Sequence, residues 1–349
     1  MILIIGAGLS GLLTAYRLQQ KGIAFNILEA RERVGGRIHT SYDQLDTPVE
    51  LGATWFGEQH VNLKDLLNEL DLDYFEQYMS GTVFFQPFST SPAQSIQIPS
   101  QPASYRISGG SSTLINALYN KLNKVDILLN QTVKEIKFHL DKVEVVAHET
   151  FTASKIVLAL PPKLIVNRID FMPCLPDLVC QTARHTHTWM EDSIKVALTF
   201  EEPFWEQQQI SGTLFSNTGP ITEFYDHCDH KRSKYALCGF MNGSYMVLDP
   251  AERQSRVLNQ LIAVFGEEIT QFISYKECIW AHEAFTYEPS HTPLFPHQNN
   301  GNPVYNDILF DDRLYLTGSE TSTQFPGYMD GAVYAANLTA QKLIESEDN

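Results

Sequence analysis

Residues 3–37 read LIIGAGLSGLLTAYRLQQKGIAFNILEARERVGGR, and this stretch decides the fold. A short apolar run, Met1 to Ile5, leads into Gly6-Ala7-Gly8-Leu9-Ser10-Gly11, and a helical pattern carrying Leu12, Leu13, Tyr16 and Leu18 follows. A second apolar run, Phe25 to Leu28, ends on Glu29. Strand, glycine loop, helix, strand and acid, in that order, make a dinucleotide site. Gly6 permits the tight turn, Gly8 lets the backbone approach a pyrophosphate, and Gly11 lets helix and strand pack closely. The helix N-terminus faces the anion, and Glu29 can hold a ribose hydroxyl. A glycine-rich turn in another α/β fold would have to supply the terminal acid by coincidence.

Glu29 is followed by Ala30-Arg31-Glu32-Arg33-Val34-Gly35-Gly36-Arg37. A nicotinamide domain has no need of two glycines and an arginine here. A longer cofactor does, because the glycines bring N–H groups near a diphosphate and Arg37 can pair with it. The stretch resembles the FAD-binding opening of the flavin amine oxidase family, which includes monoamine and polyamine oxidases. The resemblance recurs along nearly the whole chain. Glu50-Leu51-Gly52-Ala53-Thr54-Trp55 is similar to the segment that passes under the flavin, and Gly109 to Leu114 to the return into the cofactor domain. Val133 stands where the family contacts adenine through its backbone, and Ile156 to Pro162 matches a strand ending beside the cofactor. Ser193-Ile194-Lys195 resembles the strand carrying a flavin-facing lysine, and Trp280 resembles a tryptophan near the ring. At the C-terminal end, Leu314 to Glu320 reads as a strand entering a glycine turn, and Phe325-Pro326-Gly327-Tyr328-Met329-Asp330-Gly331-Ala332 opens a helix. In the family, this helix N-terminus points at the flavin, where its partial positive charge stabilises the anionic reduced ring.

The resemblance implies FAD as cofactor, held by Gly6, Gly8, Ser10, Gly11, Glu29, Ala30, Arg31, Gly36, Arg37, Gly52, Ala53, Thr54, Trp55 and Val133. Gly318, Glu320, Gly327, Tyr328, Met329 and Ala332 complete that set. Lys195, Tyr328 and Trp280 are the implied catalytic residues. The implied fold class is α/β: a Rossmann-like FAD-binding domain plus a mixed-sheet, helix-covered substrate domain. The motif positions make the cofactor domain discontinuous, at 1–59, 105–165 and 283–349, with 60–104 and 166–282 as substrate domain. Within the latter, Ile194–Phe200, Gly212–Phe215 and Tyr235–Phe240 read as strands and Ala251 to Phe265 as a helix.

Two departures from the family bear on chemistry. Family members carry a long helical insertion between the positions of Tyr78 and Tyr105, over the substrate cavity. Here the segment is short and rich in Ser, Pro, Gln and Thr, so an extended loop and a shallower, more open cavity are expected, unless another chain closes it. Covalent relatives attach the flavin through a cysteine followed by a tyrosine; those positions hold Pro289 and Ser290, so non-covalent FAD is expected. The missing tyrosine also removes one of two rings that flank the amine. Tyr328 matches the other, and Phe285 and Tyr287 are nearby substitutes.

Composition narrows the remaining classes. The chain has 349 residues, 43% of them hydrophobic, enough for large cores and two domains. The first strand starts at Met1 and no apolar run approaches a membrane span of about 18 residues, so a soluble, cytoplasmic protein is expected. Five scattered cysteines suit a reducing compartment better than a disulfide framework. A net charge of −16 argues against nucleic-acid partners. Asp226-His227-Cys228-Asp229-His230 matches no closed zinc spacing and reads as a polar turn between strands, so no metal is expected. His185 and His187 alternate as on one face of an extended segment.

Three functions stay open at this level. The first is oxidation of an amine to an imine, with dioxygen as acceptor and hydrogen peroxide as product. The second is a flavin oxidoreductase of amino acids or desaturase-like substrates; an amino acid needs an arginine clamp, for which Arg106, Arg168, Arg184 and Arg232 are available. The third is a flavoprotein with a mainly binding or regulatory role. Lys195 is expected to assist reoxidation from a desolvated position, against the alternative of a solvated lysine on a strand edge.

Overall fold

The computed structural model describes residues 1–97, 102–190, 192–289 and 293–347. Its central feature is a five-stranded parallel sheet built from distant parts of the chain. In spatial order the strands are Ile127–Leu128, Phe25–Leu28, Ile2–Ile5, Lys155–Leu158 and Leu314–Leu316. Ile2 lies opposite both Phe25 and Lys155, and Ile156 opposite Leu314. Both faces are covered, which is why these strands are mostly apolar rather than alternating, with Asn26 and Lys155 the exceptions. One face carries Leu12, Leu13 and Leu18 of the first helix, Leu9–Gln20, with Val333 and Ala336 of the last, Met329–Glu347. The other face meets a four-stranded sheet through Ile136, Val143 and Val145.

A second body is a seven-stranded mixed sheet, ordered Ser274–Ile279, Ile194–Phe200, Tyr235–Met241, Ile221–Asp226, Ile210–Ser216, Thr82–Gln86 and Gln94–Ile96. The helix Pro250–Phe265 packs Val257, Leu261 and Phe265 into its core, with Asp249 capping Glu252 N–H through its side chain. Strand Ile194–Phe200 lies one in from the edge, is paired on both sides and is buried along its whole length. Lys195 therefore does not lie on a solvated edge.

Two local expectations are corrected. The segment after Tyr78 is not simply an extended loop: Thr82–Gln86 and Gln94–Ile96 form an antiparallel hairpin on the edge of the seven-stranded sheet. Val83 is buried and Phe84 packs edge-on to Phe265 at 5.8 Å. His185 and His187 are not an alternating strand. His185 caps the helix Asp177–Arg184, its Nδ1 2.8 Å from the Gln181 carbonyl, while His187 is buried in the following loop.

Leu63, Leu66 and Leu67 of the helix Val61–Glu69 join the first core, and Val179 and Ala183 join the core on the opposite face. The two bodies meet where Val49 and Leu51 pack against Ala197, Ala236 and Cys238 of the seven-stranded sheet. Among the described residues, no helix is long and apolar enough to cross a membrane.

Candidate active site

The glycines of the opening loop are required by contact. A Cβ on Gly6 would lie 2.6 Å from the Ala159 carbonyl oxygen, and Gly6 has φ +105°. A Cβ on Gly11 would lie 1.9 Å from the Gly6 carbonyl oxygen, so the helix can start here only without a side chain. Gly8 differs: its missing Cβ would meet only the Gly36 Cα, at 3.9 Å. Gly8 and Gly35 pair as a parallel bridge, and Gly35 N–H donates to the Ala7 carbonyl at 2.8 Å. Two glycine turns thus lie back to back and leave bare backbone facing a cavity of about 370 Å³.

Glu29 closes the far side of this cradle. Its two carboxylate oxygens accept Ala7 N–H at 2.8 Å and Arg31 N–H at 2.9 Å. Its backbone holds residues 128–131 alongside, through Glu29 N–H to Leu128 O and Gln131 N–H to Glu29 O. Gln131, Val133 and Ala30 line the cavity there, and the Gln131 side-chain oxygen is buried without a partner. These residues fit a dinucleotide: bare N–H groups for a diphosphate, an acid and an amide for a ribose.

Gly6, Gly8, Ser10, Gly36, Ala53 and Gly318 line the same cavity, as do Gly327, Tyr328, Met329 and Ala332 at the opening of the last helix. Ser10 Oγ donates to the Ala332 carbonyl at 3.1 Å, so the first and last helices present their N-termini to one space.

The arginines on the wall are already engaged with acids. Arg37 lines the cavity, but its guanidinium forms a two-pronged pair with Glu320, with Nη2 2.8 Å from Oε2, and also reaches Ser319 Oγ at 3.0 Å. Glu320 itself is fully buried. Burial pushes its carboxyl up, but the Arg37 charge and hydrogen bonds outweigh this and hold it below the usual range. Glu320 is thus a partner of Arg37 rather than a wall residue. Arg31 pairs with Glu283 at 3.0 Å and donates to Thr286 Oγ1 at 2.9 Å. Arg168 lines the cavity and pairs with Glu288.

A second layer stands behind the wall. Gly52 supports Ala53 from behind: a Cβ there would lie 2.2 Å from the Arg37 carbonyl. Thr54 is buried, and its hydroxyl accepts Lys195 Nζ at 3.0 Å. The Lys195 ammonium also lies 4.3 Å from the Trp55 ring centroid and 4.5 Å from that of Phe240. Burial pushes its pKa down. Trp55 is turned away from the cavity, its indole N–H donating to Gln77 at 2.8 Å. Trp280 is fully buried and donates to the Leu51 carbonyl at 2.8 Å, so it braces the Leu51–Trp55 segment from behind rather than facing the cavity.

Ser290 lies outside the described residues. Phe285 lines the cavity but stacks over Arg31, with the guanidinium carbon 5.6 Å from the ring centroid. The rings that meet Tyr328 come from elsewhere: His297 at 5.6 Å, Trp189 at 6.2 Å and His60 at 5.2 Å between centroids. No sequence motif singled these out; each is fixed by a loop.

Among the described residues, the side-chain ligand atoms of Glu206, Asp226 and Cys228 cluster within 4.8 Å. Asp226 is already occupied by the Trp205 indole N–H at 2.9 Å and by Arg232, which also pairs with Glu206. A cation there would have to displace Arg232.

The model of the flavin containing amine oxidoreductase family matches residues 9–95 and 93–344. The chain belongs to that family. Its members are FAD-dependent oxidoreductases, so the glycine cradle and Glu29 have a cofactor of the right kind to receive. Flavin-containing amine oxidase B from Homo sapiens is 22% identical, covering 99% of this chain and 86% of the relative. An L-amino acid dehydrogenase from Synechocystis is 20% identical, with 98% and 94% covered. The solved cyclohexylamine oxidase from Brevibacterium oxydans superposes with a TM-score of 0.86 at 20% identity, covering 100% of this chain and 99% of its own. The fold is that of an amine oxidase.

Proposed function

We propose that the protein is an FAD-dependent amine oxidase that binds its flavin non-covalently. The carrying observation is one cavity that runs from the glycine cradle and Glu29 to the aromatic face at Tyr328. Bound there, the flavin would accept two electrons from the substrate carbon and pass them to dioxygen, giving hydrogen peroxide. The amine becomes an imine, which water hydrolyses. The N-termini of the first and last helices and the buried Lys195 set the field around the site. Lys195 would act through Thr54 and Ala53, the segment beneath the ring.

No cysteine lines the cavity among the described residues, which supports non-covalent binding. The arginines support an amine over an amino acid. Arg106 is buried with Cys228 O and Phe75, Arg168 pairs with Glu288, and Arg232 pairs with Asp226. Arg184 is exposed away from the cavity. The proposed work is divided between a cofactor part at 1–59, 105–165 and 283–349 and a substrate part at 60–104 and 166–282, in a cytoplasmic setting. Purified protein should be yellow, release its flavin on acid precipitation, and yield peroxide with members of a panel of mono-, di- and polyamines. Peroxide from amino acids alone would replace this reading with the second. A yellow protein inert to the whole panel would leave the binding or regulatory role.

A further inference from the structure

We infer that residues 283–288 form a strap across the Glu29 end of the cavity, and that its ion pairs to Arg31 and Arg168 set how fast FAD is released. The inference rests on the flavin and not on the amine, and it makes Glu283 and Glu288 positioning residues in cofactor retention. Ala284, Phe285 and Thr286 line the cavity together with Glu29, Ala30 and Arg31, the end that fits a ribose.

The strap is a tight turn on a fixed root. Trp280, just ahead of it, is fully buried and its carbonyl accepts Glu283 N–H at 3.1 Å. The Glu283 carbonyl in turn accepts both Thr286 N–H and Tyr287 N–H at 2.8 Å. Side chains from two separate parts of the wall then tie the turn down. The Arg31 guanidinium pairs with the Glu283 carboxylate at 3.0 Å and donates to Thr286 Oγ1 at 2.9 Å and to the Phe285 carbonyl at 3.4 Å. The helix Pro162–Arg168 supplies the rest: Arg168 pairs with the Glu288 carboxylate, and Lys163 Nζ donates to the Glu288 carbonyl at 3.2 Å.

The neighbouring walls are fastened differently. Ile5 and Leu28 end strands of the parallel sheet, and the loop at 131–134 is pinned by backbone, Gln131 N–H to the Glu29 carbonyl and Lys134 N–H to the Val146 carbonyl, both at 2.8 Å. Moving those walls breaks sheet structure. Moving the strap exchanges ion pairs for water, and the pairs are wet: Glu283 is about a third exposed and Arg168 more than half. Phe285 also reaches the surface, 38% exposed. The strap is therefore the part of this end that opens at least cost. A ligand beneath it leaves only while it is open, so the release rate scales with the open fraction, and each tie removed raises that fraction.

The test dilutes the FAD-loaded protein into a phosphodiesterase that cleaves free FAD to the brighter FMN, so that fluorescence reports release and rebinding is prevented. Glu283→Gln and Glu288→Gln should each speed release roughly 1.5- to 5-fold at low salt, and together by about the product. Sodium chloride should speed release from the wild type and do less to the double variant, which has no pairs left to screen. Chymotrypsin supplies a second readout: cleavage after Phe285 or Tyr287, located by mass spectrometry, should be faster in the double variant and slowed by FAD. The flavin-free double variant should melt within about 3 °C of wild type, which separates strap opening from loss of the fold. Unchanged release in the double variant overturns the inference, as does slower release, the result if a freed Arg31 held the diphosphate instead. Equal salt acceleration in both proteins overturns it too. A protein that oxidises no amine would sink the proposed function and leave this test intact, because its readout is flavin release.

Discussion

Arg37→Met should destabilise the protein strongly, because it strands Glu320. The Glu320 side chain is fully buried and that of Arg37 only a fifth exposed. Removing one partner of such a pair costs about 3–5 kcal/mol, since an uncompensated charge stays behind. Unfolding entropy near 2.1 cal/mol/K per residue over 349 residues gives about 0.7 kcal/mol per degree, so the melting temperature should fall by about 4–7 °C. The comparison is made on flavin-free protein, so that lost cofactor affinity does not enter.

The reasoning predicts more than a loss. Glu320→Gln on the Arg37→Met background should recover most of the stability, because the buried charge is gone. The pH dependence has a definite sign. In the wild type the folded-state Glu320 pKa lies below its usual value, so its stabilisation is present above the unfolded pKa and is lost as pH falls through the folded one. Without Arg37, burial is opposed only by the Ser319 and backbone hydrogen bonds, so the pKa rises. The deficit of Arg37→Met should therefore shrink as pH is lowered from 7 to 5. A melting temperature within a degree of wild type, or a double variant less stable than Arg37→Met, would refute the argument.

Three further outcomes follow from the geometry. Gly11→Ala puts a Cβ 1.9 Å from the Gly6 carbonyl, so the helix must move off the cradle; the purified protein should carry little flavin by its absorbance ratio. Lys195→Met removes a desolvated ammonium from an apolar strand; stability should hold in urea titration while reoxidation by oxygen slows in stopped-flow, and unchanged oxygen reactivity would remove Lys195 from the chemistry. Glu50 is fully buried with one carboxylate oxygen lacking a partner, and burial pushes its pKa up to about 7. A raised carboxyl pKa stabilises the fold fully below the unfolded value, and this is lost as pH rises through 7. The wild type should thus lose stability relative to Glu50→Gln between about pH 5 and 7.

What could be read from sequence was what local sterics dictate. Gly6, Gly8 and Gly11 sit where a Cβ either collides or would face a ligand, and the terminal acid follows at the end of the next strand, so neighbours in sequence carry the whole argument. Strand Ile194–Phe200 was legible as a mostly apolar run, interrupted only by Lys195 and Thr199, because it is paired on both sides and buried along its length. Edge elements were not. Gln94-Ser95-Ile96 is polar because an edge strand has one side unpaired, and its composition looks like a loop. Trp280 matched a motif, but which way an indole points depends on the carbonyl it finds, here Leu51. Trp189 and His297 carry no local pattern, since they meet only when three loops converge on Tyr328.

The charges around the cavity show why those loops converge. Arg31, Arg37 and Arg168 reach it from the N-terminal and middle parts of the chain, and each pairs with an acid from the C-terminal part: Glu283, Glu320 and Glu288. The three pairs differ in depth. Glu283 is about a third exposed and Arg168 more than half, so salt weakens those contacts, whereas the Glu320 pair is shielded. The cradle end is therefore fastened by pairs that solvent can compete for, and the Tyr328 end by one that it cannot. Trp189 depends on that deep pair through its carbonyl, so the same arginine that neutralises Glu320 also holds an aromatic residue of the cavity wall in place. Removing Arg37 should consequently loosen the aromatic wall as well as the fold, and tryptophan fluorescence of Arg37→Met, measured where the variant remains folded, should be quenched more readily by acrylamide than that of the wild type.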